Sequence, residues 1–257
     1  MKKYLIIALC LFCSCVSAAK AQLMIEEGKI KKVFRPGEKI ADTLTLHNTS
    51  SEPLDIAIYL EDFEYVKPYE DGAKKFFPAG TVERSAASWI SYQPKELHLA
   101  PQERYQLNYT VSVPEDASGG YYCVMFFENG SRHKVTQGQI GLSIVARVGS
   151  LFFLESQDRI KKISFEKSSI TDHTISGVLT NEGNVNLVLK CLYYILDSNG
   201  VPVDRGESKK YYMPPAGTMN FVQEISSEIA AGDYTAVLTF DLEDGVSSVQ
   251  ELSFTVF

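Results

Sequence analysis

Histidine, tryptophan and usable cysteine are scarce in this chain of 257 residues, which carries 4 His, 1 Trp and 5 Cys. His47, His98, His133 and His173 have no second His or Cys at metal-ligand spacing, so the usual zinc motifs are missing. Cys10, Cys13 and Cys15 fall in the first apolar segment. Only Cys123 and Cys191 remain, 68 positions apart in separate apolar runs (YYCVMFF and LKCLYYIL), where a thiol behaves as a small hydrophobe. A disulfide-stapled scaffold is thereby excluded. Basic clusters are missing too: 25 Lys+Arg against 32 Asp+Glu give a net charge of −7. Nucleic-acid binding needs clustered cations to neutralise phosphates, so it is not expected. No Gly-rich phosphate loop, nucleophile elbow or HExxH motif is present. The acidic runs Glu61-Asp62-Phe63-Glu64 and Glu70-Asp71-Gly72 lack the cleft geometry that paired-carboxylate catalysis requires. The chain therefore reads as a non-enzyme with no cofactor and no metal.

What is present begins with an export signal. Met1-Lys2-Lys3 is a short basic start, Tyr4 to Val16 is apolar, and Ala19-Lys20-Ala21 is a small-x-small cleavage site before Gln22. Residues 1–21 are expected to be removed. A lipid anchor at Cys15 would want a residue such as Leu three positions earlier, where Phe12 stands. No later apolar run has the length of a transmembrane helix, so the mature chain is expected outside the cytoplasm with no membrane span.

Beyond the signal, short alternating runs rich in Val, Ile, Tyr, Phe and Thr are bounded by Gly, Pro, Asn and Asp. Leu54–Leu60, Tyr105–Val113 and Val249–Val256 alternate with period two, the mark of half-buried strands. Asp197-Ser198-Asn199-Gly200 and Glu243-Asp244-Gly245 read as hairpin turns. Two landmarks occur twice. A strand ending in Asn and a turn precedes a longer apolar strand, at Asn48 and again at Asn181. A Pro, an alternating strand and Gly-x-Tyr precede another strand, at Tyr121 and again at Tyr234. The pattern implies an all-β chain of two immunoglobulin-like antiparallel sandwiches, residues 22–155 and 156–257. The Gly-x-Tyr elements suggest tyrosine corners, and Trp89 is expected beneath a sheet. The first domain carries about 20 extra residues around Asp62–Ile90, from the difference in landmark offsets. Within them Tyr65–Thr81, with Phe76 and Phe77, is polar, turn-rich and aromatic. It is expected to project as a hairpin loop that carries recognition.

Arg35-Pro36-Gly37-Glu38, Leu44 to Asn48, Ser88-Trp89-Ile90, Pro94, Leu97, Leu99, Pro101, Glu103, Val113-Pro114 and Gly119-Gly120-Tyr121-Tyr122 together resemble the bacterial periplasmic pilus-chaperone (PapD-like) superfamily. The same landmarks resemble the peptidoglycan-binding domain of WxL-interacting surface proteins. The first resemblance implies a periplasmic protein that engages a pilin-like subunit by strand pairing. An Arg and a Lys in its inter-domain cleft would clamp the client's terminal carboxylate. The pairing strand would be Gly138–Phe153, with Ile140, Leu142 and Ile144 on its apolar face. Its only cation is Arg147; Lys29, Lys31, Lys32 and Arg35 on the first strand are the possible second partners. A simpler expectation for Arg147 is an ion pair at the domain junction. The second resemblance implies a cell-surface module binding cell-wall glycan or a surface protein.

Overall fold

The computed structural model describes residues 22–129, 146–171 and 173–257. The signal segment and three expected strand residues, Ile140, Leu142 and Ile144, lie outside the described residues. In the first half the strands are β1 (Leu23–Ile25), β2 (Lys29–Phe34), β3 (Lys39–Asn48), β4 (Leu54–Tyr65), β5 (Lys74–Pro78), β6 (Ile90–Tyr92), β7 (Glu96–Leu99), β8 (Arg104–Ser112), β9 (Gly120–Asn129) and β10 (Arg147–Ser156). The second half holds β11 (Ile163–Thr171), β12 (Thr174–Asn181), β13 (Leu187–Leu196), β14 (Pro202–Glu207), β15 (Tyr211–Met213), β16 (Thr218–Glu224), β17 (Gly232–Asp241) and β18 (Ser247–Val256). One sandwich stacks the order β1-β3-β8-β6 on β2-β10-β9-β4-β5, with β7 beside β4. The other stacks β11-β12-β16 on β14-β13-β17-β18, with β15 beside β13. The architecture is all-β with two immunoglobulin-like sandwiches, as the alternation implied.

One ladder departs from the antiparallel expectation. β2 runs parallel to β10, from Leu151 opposite Lys29 to Ser156 opposite Phe34. The chain reaches this edge by changing sheets. β1 pairs with β3 in the four-stranded sheet, and after Glu26–Gly28 the chain joins the six-stranded one.

The first core is filled by Phe34, Leu44, Leu46, Leu107, Val111, Phe127, Phe152 and Leu154. Trp89 lies under the sheet as expected, edge-on to Phe34 with centroids 5.7 Å apart. Cys123 and Cys191 are buried free thiols. Strand β9 is apolar on both faces: Cys123, Met125 and Phe127 enter this core, while Tyr122, Val124 and Phe126 are buried on the other side.

The doubled asparagines do the same physical work in each sandwich. Asn48 and Asn181 are fully buried. The Asn48 Nδ2 donates to the carbonyls of Glu52 (2.8 Å) and Ala100 (2.9 Å), and its Oδ1 accepts from the Ser50 amide (3.0 Å). Asn181 repeats the device on Val185 (2.9 Å) and Met213 (3.0 Å), with Gly183 N–H as donor to its Oδ1 (2.9 Å). Each clip closes the turn after its strand and ties it to a distant strand end. The tyrosine corner forms once. Tyr234 Oη donates to Ala230 O at 2.9 Å. Tyr121 instead lays its ring on Trp89, centroids 4.2 Å apart, with the Arg84 guanidinium 5.6 Å from the ring centroid.

Candidate partner-binding cleft

The outer face of the six-stranded sheet is not water-facing in the way an antiparallel outer face usually is. Alternation along β4, β9 and β10 places Phe63, Tyr122 and Phe153 on it as one aromatic cluster. Their centroids lie 5.9 Å (Phe63–Phe153), 6.3 Å (Phe63–Tyr122) and 5.4 Å (Tyr122–Phe153) apart. Tyr65 extends the cluster onto Tyr212 of the second sandwich, 5.3 Å away. The cluster therefore lines the angle between the two sandwiches, beside a pocket of about 420 Å³ bounded by Tyr65, Tyr69, Arg84, Asn186 and Pro214.

Two lysines flank these rings. The Lys29 Nζ stands 4.8 Å from the Phe153 centroid. That of Lys74, on β5, stands 5.0 Å from Tyr65 and 5.8 Å from Phe63, and donates to Gly72 O at 2.8 Å. Neither makes an ion pair among the described residues. Burial pushes the Lys74 ammonium below its ordinary pKa, and the Lys29 charge pushes it in the same direction. An exposed and a half-buried ammonium beside aromatic rings are stabilised by an incoming anion, because it offsets their repulsion and the lost hydration of Lys74. Lys29 is one of the residues expected from the sequence. Lys74 lies in the aromatic-rich stretch expected to carry recognition, where a Lys pair is its only signal in the sequence.

The other expected residues are placed differently. Arg147 is already engaged: its guanidinium bridges Glu61 at 3.2 Å, reaches Tyr59 Oη at 3.3 Å and stacks 4.0 Å over Phe126. The acid it meets belongs to β4 of its own sandwich, not to the domain junction. Arg147 precedes Leu151, the residue opposite Lys29, by four positions, which is about 13 Å along a strand. It is therefore not one half of a clamp with Lys29. Lys31 faces the second sandwich and is paired there. Arg35 sits in the exposed turn after β2. Phe76 is 37% exposed and packs edge-on against Phe126 at 5.1 Å; Phe77 is half-buried on the same strand beneath the Lys75 ammonium. The hairpin expected of Tyr65–Thr81 exists as β4–β5, but its tip does not project. Tyr69 is buried, Tyr69 O accepts from Tyr212 N at 2.8 Å, and Glu70 pairs with Lys209 at 2.5 Å. Of the aromatic residues in this stretch, Tyr65 and Tyr69 serve the contact between sandwiches, while Phe76 and Phe77 pack within the first.

A second contact fixes the same angle. Asp244, in the turn between β17 and β18, accepts from Lys31 (2.7 Å) and Lys161 (2.8 Å), and Lys161 also donates to Leu242 O at 2.9 Å. The buried Glu155 lies 3.9 Å from Lys31 and 3.4 Å from Arg159, and burial raises its carboxyl pKa despite these cations. Gly119 and Gly120 let the loops meet: a Cβ on Gly119, at φ +81°, would lie 2.6 Å from Asn184 O. The lysine hydrogen bonds hold the Asp244 carboxyl well below the usual carboxylate range. A depressed folded pKa means that its stabilisation is complete above the ordinary aspartate value, near pH 4, and lost as pH falls below it. Asp244→Ala should cost about 1–2 kcal/mol, a figure discounted because the Asp244 side chain is 41% exposed. In thermal melts the gap between wild type and variant should narrow progressively as the pH falls below about 4. A constant gap would show that Asp244 does not carry it.

The edge of β10 completes the site. Beyond Leu151 its outward side is covered by β2, beginning with Leu151 N–H donating to Gly28 O at 3.0 Å. Before Leu151 no strand among the described residues pairs on that side. Ala146 O accepts from Asn129 N, so the alternation turns the main-chain groups of Arg147 and Gly149 outward. A strand laid parallel to β10 along this edge would end where β2 begins, at Lys29.

This chain is similar in structure to the class 5 fimbriae chaperone CfaA, with a TM-score of 0.54, 13% identity, and coverage of 91% of this chain and 98% of that one. It is similar too to a chain in a chaperone–tip adhesin complex of CFA/I fimbriae biogenesis, with a TM-score of 0.53, 15% identity, and coverage of 91% and 98%. No protein-family model matches the chain, and no curated protein matches it in sequence. The fold is that of the PapD-like fimbrial chaperones.

Proposed function

We propose that the chain is a non-enzymatic pilus-chaperone-like protein of the periplasm, with domains at 22–155 and 156–257. It binds a pilin-like subunit by lending the open edge of β10 to a strand of that subunit. The observation that carries this reading is that Lys29, where that edge ends, and Lys74, which reaches over the same aromatic cluster from β5 at the far side of the sheet, have no acid partner among the described residues. The subunit's terminal carboxylate lies between them, a charge-assisted contact in a partly desolvated site. Main-chain pairing supplies affinity, and the aromatic face supplies pockets for alternate side chains. Arg147 organises Phe126 and Glu61 and does not touch the carboxylate.

The test is capture of envelope proteins on the immobilised mature chain. Lys29→Gln combined with Lys74→Gln should keep the wild-type melting temperature and lower capture of the principal partner at least tenfold, the scale of losing about 1.4 kcal/mol or more. Lys29→Arg should retain capture. Equal capture by the double variant would end the clamp assignment.

A further inference from the structure

The second sandwich carries an exposed apolar surface that the binding role above does not use. In the β14-β13-β17-β18 sheet, Tyr193, Ile195, Ala236 and Leu238 point into the core. The opposite face of an antiparallel sheet ordinarily turns polar residues to water. Here it shows Leu192 (39% exposed), Tyr194 (42%) and Val249 (53%), with Val237 half-buried between them. The register sets Arg205, Tyr194, Val237 and Glu251 in one row across the four strands. Its two ends are an exposed base and an exposed acid, and neither makes an ion pair among the described residues.

That row is complementary to itself. A two-fold axis lying in the face and running along the strands reverses the strand order in a second copy. β14 of one copy then covers β18 of the other, so Arg205 meets Glu251 at both ends. Tyr194 covers Val237 between them. We infer that this face is the contact surface of a homodimer, formed by isologous stacking of the two outer sheet faces. The charge pairs set the register and Tyr194 with Val237 supplies the central apolar burial; in the neighbouring row Leu192 covers Thr239 and Val249 covers the stem of Glu207, whose carboxylate Lys190 holds. The row spans three strand spacings, about 14 Å. An interface of that size is at the weak end of the specific range, so association depends on concentration. The inference goes beyond the proposed function and does not rest on it.

Sedimentation of the mature chain, in a series reaching hundreds of micromolar, tests it. Wild type should shift from monomer to dimer across the series. Arg205→Glu and Glu251→Arg should each remain monomeric, because like charges then meet at both ends of the row. The exchanged double variant, Arg205→Glu with Glu251→Arg, should dimerise again. Both side chains are exposed, so all three variants should melt within a few degrees of wild type. A monomeric wild type overturns the inference, including the case in which another segment or another protein is found on this face. Single reversals that still dimerise, or an exchanged variant that does not, overturn it equally.

Discussion

Asn181→Asp should unfold much of the second sandwich at temperatures where the wild type is intact. The Asn181 amide nitrogen donates to two carbonyl oxygens, Val185 O at 2.9 Å and Met213 O at 3.0 Å, from a side chain with no exposed surface. Asp is nearly isosteric, so the substitution leaves no cavity. It replaces a donor by an oxygen facing two acceptors, in a place where water cannot intervene. The expected cost is about 3–5 kcal/mol, from two orphaned carbonyls and a buried unpaired charge. Against a total stability of about 5–15 kcal/mol, that is a large fraction. Asn48→Asp should behave alike in the first sandwich, since its nitrogen faces Glu52 O, Ala100 O and Leu99 O. Calorimetric melts of both variants check this. A loss below about 1 kcal/mol would mean that the clips are incidental.

Asp62→Ala should be nearly as damaging. This fully buried carboxylate on β4 accepts from Thr81 N (2.8 Å), Val82 N (3.1 Å) and Ser85 Oγ (2.5 Å). It pins the segment that leads into the core residues Ala86, Ala87 and Trp89. Truncation leaves two amides and a hydroxyl without their acceptor, a cost of about 3–4 kcal/mol. Asp62→Asn preserves the shape and one acceptor oxygen, so its loss should be smaller. Amide exchange at Thr81 and Val82 should accelerate in Asp62→Ala before the sandwich melts. Unchanged exchange at those two amides would contradict the assignment.

Much of the fold was legible because period-two burial leaves a local trace, as in β8, where Leu107, Tyr109 and Val111 alternate with exposed neighbours. The duplicated Asn was readable as a pattern; what it does was not, since its acceptors at Leu99–Ala100 and Met213 are distant in sequence. The parallel β2–β10 pairing left no sign, because a strand that changes sheets keeps its alternation. The site was legible only in part. Lys29 is among the residues the resemblance marks, but the ion pair that engages Arg147 is not readable, because Glu61 lies 86 positions away. Ion pairs over such separations carry no local signature. The readable clue to the cleft was the unbroken apolar run of β9, which demands cover on both faces. The aromatic hairpin was likewise visible as an oddity, but nothing short of the fold shows that Tyr69 meets Tyr212.

Strand addition at β10 is most directly tested by amide hydrogen exchange of the mature chain, alone and in complex with the partner recovered from the envelope. The Arg147 and Gly149 amides, which face away from β9 on the side where no described strand pairs, should slow by at least an order of magnitude on binding. The Val148 amide faces β9 and should change little. Protection confined to the second sandwich, with Arg147 and Gly149 exchanging as in the free chain, would contradict the account.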